Sequence, residues 1–181
     1  MRDQPDSAEA IHRQALQAYR DGDLAQAEEN LRLARSKFLE AEDPLQAAEM
    51  GNNLSVILLQ LSRPEDARLA VEGTPEIFER ASDWLRAAQA HGNLASALEA
   101  CGRDSQAESH YLRSLDLFRQ LEDGEAAALV LQQLSRLRLK QGQPLDALSA
   151  MQASLEATPK RGLRNRLLRR MLSLPGRVLP H

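Results

Sequence analysis

The sequence predicts an all-α protein, a stack of helical hairpins, and three observations carry that expectation. The first is an internal period of forty residues. The stretch AAQAHGNLASALEACGRDSQA, from Ala87 to Ala107, has counterparts from Ala47 to Ala67 and from Ala127 to Ala147. The second is composition: Ala, Leu, Gln, Glu and Arg dominate and aromatics make up only 3%. Contacts must therefore come from Leu and Ala on closely packed helices rather than from β-branched and aromatic residues on a sheet. The third is phase. Laid over one another at forty residues, Ala27, Ala67, Ala107 and Ala147 align, and so do Phe38, Phe78 and Phe118, the only phenylalanines in the chain. Gly22, Ser62, Gly102 and Gly142 share a turn position. An array over 1–158 is expected, in units of about 7–43, 44–83, 84–123 and 124–158. A basic amphipathic capping helix over 159–174 and a frayed tail over 175–181 follow it.

The elements can be justified in chain order. The opening helix begins at Asp6 or Ser7, where Asp6 and Glu9 make a capping box, and runs to Tyr19 or Arg20 before Asp21-Gly22-Asp23 breaks it. A longer amphipathic stretch follows from Leu24 to about Glu42 and ends at Asp43-Pro44. The second unit runs from near Leu45 to Leu61 and returns from Pro64, with Ser62 and Glu65 placed as cap and capping-box partner. Inside the returning helix stands Gly73-Thr74-Pro75. Pro75 lacks a backbone donor and clashes with the carbonyl of Val71, so a kink or break is expected there. The third unit runs from Trp84 to Cys101 and returns from Ser105 to Leu121; the fourth runs from about Glu125 to Lys140 and returns from Pro144 to Ala157. The repeated alanine lets two helices approach, the glycine makes the turn, and the phenylalanine seals the joint with the next unit.

Charge is divided unevenly. Seven of the 23 basic residues (Lys160, Arg161, Arg164, Arg166, Arg169, Arg170 and Arg177) lie between Pro159 and His181, which holds no acidic residue. Residues 1–158 keep 16 basic side chains against all 26 acidic ones, so an acidic body precedes a basic tail. On a helical projection Leu163, Leu167, Leu168, Met171, Leu172 and Leu174 occupy about half the circumference, with Arg166, Arg169 and Arg170 opposite. Such a helix caps the last repeat; lying on an anionic membrane and docking on the acidic surface of a second copy are the alternatives.

This pattern resembles the tetratricopeptide repeat. With Ala27, Ala67, Ala107 and Ala147 as the family's second-helix alanine, its Leu and small-residue pair falls on Leu54-Ser55, Leu94-Ala95 and Leu134-Ser135, and its closing proline on Pro159. The first unit departs with Gln14-Ala15 at the pair, and the second with Val71 where an aromatic is usual. The forty-residue period is similar to the longer-helix branch of the family, found in peptide-binding adaptors and regulator sensor domains. HEAT-like repeats share the length, but the glycine turn and the alanine phase argue against them. The resemblance covers roughly residues 8–159. It implies a right-handed superhelix of four hairpins plus a C-terminal capping helix, serving as a non-enzymatic protein–protein interaction scaffold that binds a peptide or partner segment in a concave groove lined by the first helices. The alternatives are a regulatory sensor domain for a peptide or small molecule, and an adaptor that self-associates or meets a membrane surface through its basic C-terminal helix.

No catalytic constellation accompanies the repeat. HExxH, a glycine-rich phosphate loop and GxSxG are missing, and His12, His91, His110 and His181 lack the spacing of a metal site, so neither cofactor nor metal is expected. His12 and His91 fall near the inner face of their helices, a place from which to contact a ligand; the competing reading, and the favoured one, is that they are ordinary polar surface residues. Cys101, the lone cysteine, has no disulfide partner. The N-terminus lacks the apolar core of a signal peptide and no run of about 18 apolar residues exists, so a cytoplasmic location is expected. The basic segment is short and free of aromatics, which disfavours nucleic acid as a partner.

The feature with the best claim to partner binding is the row Asn53, Asn93 and Gln133, each preceding the repeated leucine of its first helix. Stacking turns equivalent positions into a ladder, and amides donate and accept at once, as a peptide backbone requires. The opposing reading is that these amides brace neighbouring helices. The resemblance supports the first: the position is similar to a ligand-gripping asparagine in the longer-helix proteins. Flanking groove positions are Glu9, His12, Arg13, Leu16 and Tyr19 in the first unit, Glu49, Asn52, Val56 and Leu59 in the second, Gln89, Ser96 and Glu99 in the third, and Arg136 in the fourth.

Overall fold

A computed structural model describes residues 6–157, and its described residues form helices and turns without a strand. The helices are α1 (Ala8–Arg20), α2 (Leu24–Glu40), α3 (Pro44–Gln60), α4 (Pro64–Val71), α5 (Thr74–Arg80), α6 (Trp84–Ala100), α7 (Asp104–Gln120), α8 (Gly124–Lys140) and α9 (Pro144–Ala157). None is long and apolar enough to cross a membrane. The chain divides within α7 into two compact bodies, Met1–Leu117 and Phe118–His181. The capping helix expected over 159–174, with the tail over 175–181, lies outside the described residues.

One turn design recurs at every joint and explains the forty-residue period. At the end of α2 the amide of Asp43 donates to the carbonyl of Phe38 at 2.8 Å and that of Glu42 to Leu39 at 3.1 Å, the paired bonds of a Schellman turn. Asp83 and Asp123 repeat the first bond to Phe78 and Phe118. The aspartates then cap the next helix, their carboxylates accepting from the amides of Gln46, Arg86 and Ala126 at 2.9–3.1 Å. The residue before each aspartate takes a left-handed conformation although none is glycine: Glu42, Ser82 and Glu122, all at φ 56°. Within the hairpins the same duty falls to Gly22, Gly102 and Gly142, at φ 74–81°, and to Ser62 at φ 58°.

Two sequence expectations about caps are corrected. Ser62 does not cap α4. It occupies the left-handed turn position, and Arg63, without a capping side chain, precedes Pro64. At α1 the cap is Ser7, whose hydroxyl accepts from the Ala10 amide at 3.2 Å, in place of an Asp6–Glu9 box. The expected break at Gly73-Thr74-Pro75 is present. α4 stops at Val71, Gly73 turns left-handed at φ 78°, and Pro75 opens α5 while the Thr74 hydroxyl donates to the Val71 carbonyl at 2.8 Å.

The repeated alanines Ala27, Ala67, Ala107 and Ala147 are fully or almost fully buried, as are Phe38, Phe78 and Phe118. In the N-terminal body α1 packs on α2, α2 on α3, α3 on α4, α5 and α6, and α4 and α5 on α6. Helix approach is tightest at Gly51, where a Cβ would stand 2.5 Å from the carbonyl oxygen of Ala70 on α4. Two arginines at the same turn position reach back to glutamates of the preceding hairpin, Arg63 to Glu28 at 2.9 Å and Arg103 to Glu65 at 3.1 Å. In the C-terminal body α8 and α9 form one hairpin. It is held by the Ser154 hydroxyl donating to the Ala128 carbonyl at 2.9 Å and the Ser135 hydroxyl to that of Ala147 at 2.7 Å.

Candidate functional site

The face built by the first helices of the N-terminal body, α1, α3 and α6, carries one apolar cavity of about 130 Å³. Ala15, Leu16 and Tyr19 of α1 form one wall, Asn53, Val56 and Ile57 of α3 the other, and Leu31 of α2 the floor. It exists because the hairpin α1–α2 meets α3 through short or aliphatic side chains that stop before closing the space. Asn53 is its one carboxamide. At the rim the Tyr19 hydroxyl accepts a hydrogen bond from the Gln60 amide at 3.0 Å, which fixes the ring over the opening.

The predicted row of amides is not uniform. Asn53 lines the cavity, whereas Asn93 donates through Nδ2 to the Oδ1 of Asn52 at 2.9 Å, a bond that ties α6 to α3. Asn52 itself is buried, and its carbonyl accepts from the Ser55 hydroxyl at 2.7 Å. Gln133 is half-buried on α8, in the other body, together with the exposed Arg136. Of the flanking positions, Glu9, Arg13 and Gln89 are exposed and Val56 and Leu59 half-buried. Glu49 is engaged by Arg86 at 2.9 Å, which also binds Asp83 at 2.6 Å and lies 5.1 Å over the Phe78 ring. Helix α3 is thus fastened to α6 by two polar contacts, while its seam with α1, bridged at the rim by Gln60 and Tyr19, holds the apolar cavity.

His12 sits beside that seam, half-buried, with a buried Nε2 that has no hydrogen-bond partner. Burial lowers its pKa, opposed by the Glu49 carboxylate. His91 departs from expectation. It is buried, its Nδ1 lies 2.9 Å from the Nδ1 of His110, and the two rings stack at 5.1 Å. Only one proton fits between those nitrogens, so one ring donates and the other accepts. On the far side His91 Nε2 lies 3.4 Å from Glu79 Oε1, which also binds Arg113 at 2.8 Å. Burial lowers the pKa of both histidines, and for His91 the neighbouring His110 lowers it further. Burial pushes the Glu79 carboxyl up, but the hydrogen bonds from Arg113 and His91 outweigh it and hold the group below its ordinary value. No spacing rule in the sequence pointed to this cluster, because its members are separated by 12 and 19 residues on three helices.

Three of the cavity residues, Leu16, Tyr19 and Leu31, have polar equivalents in the third repeat, Ser96, Glu99 and Tyr111. The Tyr111 hydroxyl donates to Glu99 at 2.9 Å and lies 3.1 Å from the Ser96 hydroxyl, which itself donates to the Gly92 carbonyl at 3.0 Å. Ser96 and Glu99, both placed in the groove from the sequence, are therefore engaged within their own hairpin. A second, polar cavity of about 250 Å³ lies between α4, α6 and α7, lined in part by Arg68, Arg103 and His110. Arg68 is held by Glu65 and Glu72, both at 2.9 Å, and Arg103 by Glu65. Among the described residues no group of three or more His, Cys, Asp or Glu is arranged to hold a metal ion.

Comparison with known proteins follows the same lines. Residues 86–160 match the family model described as tetratricopeptide repeat. No curated protein matches the chain. Among solved structures, BtubC from P. vanneervenii is similar with a TM-score of 0.77 at 20% identity, over 90% of this chain and 71% of that one. The P. anserina putative kinesin light chain with nearly identical TPR-like repeats is similar with a TM-score of 0.75 at 15% identity, over 94% and 85%. A Rap protein complexed with competence and sporulation factor is similar with a TM-score of 0.71 at 14% identity. That match covers 91% of this chain but only 48% of the Rap protein, so the chain spans about half of that neighbour's length. At these identities the likeness is one of fold.

Proposed function

We propose that this chain, whose residues 86–160 match the tetratricopeptide-repeat family model, is a non-enzymatic interaction scaffold whose α1–α3 seam grips a segment of a partner protein. The observation that carries the reading is the cavity of about 130 Å³ walled by Leu16, Tyr19, Val56 and Ile57, with the Asn53 carboxamide among its lining. A space of this order, near the 150 Å³ or so that accommodates a benzene, suits one aliphatic side chain of an extended or helical segment. Asn53 would then satisfy the backbone on either side of that side chain, donating to a carbonyl and accepting from an amide. The neighbouring Rap protein, found complexed with competence and sporulation factor, supports a binding role for this kind of fold.

Selection from a displayed random-peptide library on the immobilised chain tests the proposal. Enriched sequences should share an aliphatic residue. Their binding should fall about tenfold or more with Val56→Asp, less with Asn53→Ala, and little with Asn93→Ala, whose amide serves α3 instead. Binders indifferent to Val56→Asp would overturn it.

A further inference from the structure

The polar cavity of about 250 Å³ between α4, α6 and α7 marks a joint where the repeat changes its chemistry. At the preceding joint, between α2, α3 and α4, the space is crossed by an opposite-charge pair, Glu28 of α2 with Arg63 of the turn at 2.9 Å. Forty residues on, the arginine stays as Arg103 but the glutamate becomes Arg68. Two guanidiniums therefore line one cavity, and the Glu65 carboxylate lies between them, one oxygen on Arg68 at 2.9 Å and the other on Arg103 at 3.1 Å. The second-helix wall changes in the same direction. Asp66, Leu69 and Ala70 of the preceding joint give way to Gln106, Ser109 and His110, so a carboxylate and two aliphatic groups are replaced by side chains able to donate hydrogen bonds. Leu94 and Leu98 of α6, in phase with Leu54 and Leu58, remain as apolar lining.

We propose that this cavity binds a small organic phosphate and that the His91–His110 pair takes up a proton from solvent as it does so. A phosphoryl group fits better than a carboxylate, because its three terminal oxygens can use donors from several sides: Arg68 on α4, Arg103 at the turn, and Gln106 and His110 on α7. The space also admits more than the phosphoryl group, since a cavity of about 150 Å³ already holds a benzene. The carbons of the ligand would lie on Leu94 and Leu98, and a hydroxyl on them would donate to Glu72. The proton follows from charge. Arg68 and Arg103 are balanced by Glu65 and Glu72, so an arriving anion brings negative charge that a proton must offset. His110 is the lining group that titrates near neutral pH. Its Nδ1 meets His91 Nδ1 at 2.9 Å, which turns its Nε2 away from His91, while His91 Nε2 lies 3.4 Å from a Glu79 carboxylate held by Arg113. The charged groups facing the pair are thus Arg68 and Glu72 of α4, Glu76 and Glu79 of α5, Arg103 at the turn and Arg113 of α7. Burial disfavours charge on both rings, so the pair is neutral at about pH 7.5 until the anion arrives.

Isothermal titration of the full chain with glycerol 3-phosphate at about pH 7.5, where the ligand is essentially a dianion, tests the binding and the proton together. Repeated in buffers of different ionisation enthalpy, it should show binding with net proton uptake, weaker binding of inorganic phosphate and no binding of glycerol. Arg103→Ala should weaken binding about tenfold, and Glu65→Gln should strengthen it severalfold by releasing both guanidiniums. His110→Gln should bind without taking up a proton, and Arg32→Ala, on α2, should bind as the native chain does. No binding at millimolar ligand, affinity indifferent to Arg103→Ala, or binding to the native chain without proton uptake would overturn the proposal. A phosphoserine peptide that binds where glycerol 3-phosphate does not would do so too.

Discussion

Around α1 the side chains of Leu16, Tyr19 and Leu31 border an apolar hollow; around α6 the same three repeat positions hold Ser96, Glu99 and Tyr111, bound to one another and to the backbone. The frame is identical in both places, since Leu31 and Tyr111 are equally buried on their second helices. What differs is how the space between hairpin and face is used. Aliphatic groups leave a hollow, whereas the hydroxyls and carboxylate bind one another. A repeat array can therefore vary the chemistry at equivalent positions from unit to unit.

The comparison can be broken or sharpened by experiment. The largest effect is expected midway between the two regions, at Gly51→Ala. The new methyl would collide with the Ala70 carbonyl 2.5 Å away, a backbone atom that cannot step aside, and should cost about 2 kcal/mol, seen as a Tm several degrees lower. Next, Tyr111→Phe removes the hydroxyl that serves Glu99 and Ser96 and should cost about 1–2 kcal/mol, while Tyr19→Phe at the exposed rim should cost only a few tenths. Equal losses for the two tyrosines in chemical denaturation would erase the distinction drawn here.

A third effect is one of pH. His91 and His110 take up protons less readily folded than unfolded because burial disfavours the charged form. The stability they contribute is complete above the unfolded histidine value of about 6.5 and is lost as pH falls through that value towards the lowered folded ones. The carboxylates titrate lower, so the window between about pH 6.5 and 5 isolates the histidines, with His12 adding a share. Thermal melts across it should show falling stability, and His91→Gln with His110→Gln should flatten the slope. The smallest effect is a gain. Ser62 holds at φ 58° the turn position that the other hairpins give to glycine, so Ser62→Gly should add up to about 1 kcal/mol in thermal or denaturant melts.

Much of the fold was legible because a repeat writes each instruction several times. The positions of Ala27, Phe38, Gly22 and Asp43 each recur at forty residues, and each performs the same task at its recurrences: close approach, a covered joint, a left-handed turn (held by Ser62 in the second repeat), a cap. The break at Gly73-Thr74-Pro75 was legible for the opposite reason, since a proline inside a helix conflicts with its backbone wherever it stands. Contacts between hairpins were not legible. Asn93 meets Asn52 and not Asn53, because stacked helices are rotated and offset, and a period gives equivalence without contact. The pairing of His91 with His110 depends likewise on how α6 faces α7. Ser62 was misread because a serine ahead of Pro64 and Glu65 mimics a cap, whereas the Schellman geometry of the preceding helix claims it first.

The interruption in the second repeat has a consequence for how the molecule yields. Pro64 to Arg80 fills the same seventeen-residue slot as α2 or α7, so the break inserts nothing and displaces no later element. Yet α4 and α5, at eight and seven residues, each fall below the roughly twelve to fifteen at which a helix persists alone, and they owe their order to α3 and α6. Amide exchange and limited proteolysis should therefore enter the chain at Glu72-Gly73. The second repeat would come undone as a hinged pair of short segments while its longer neighbours hold.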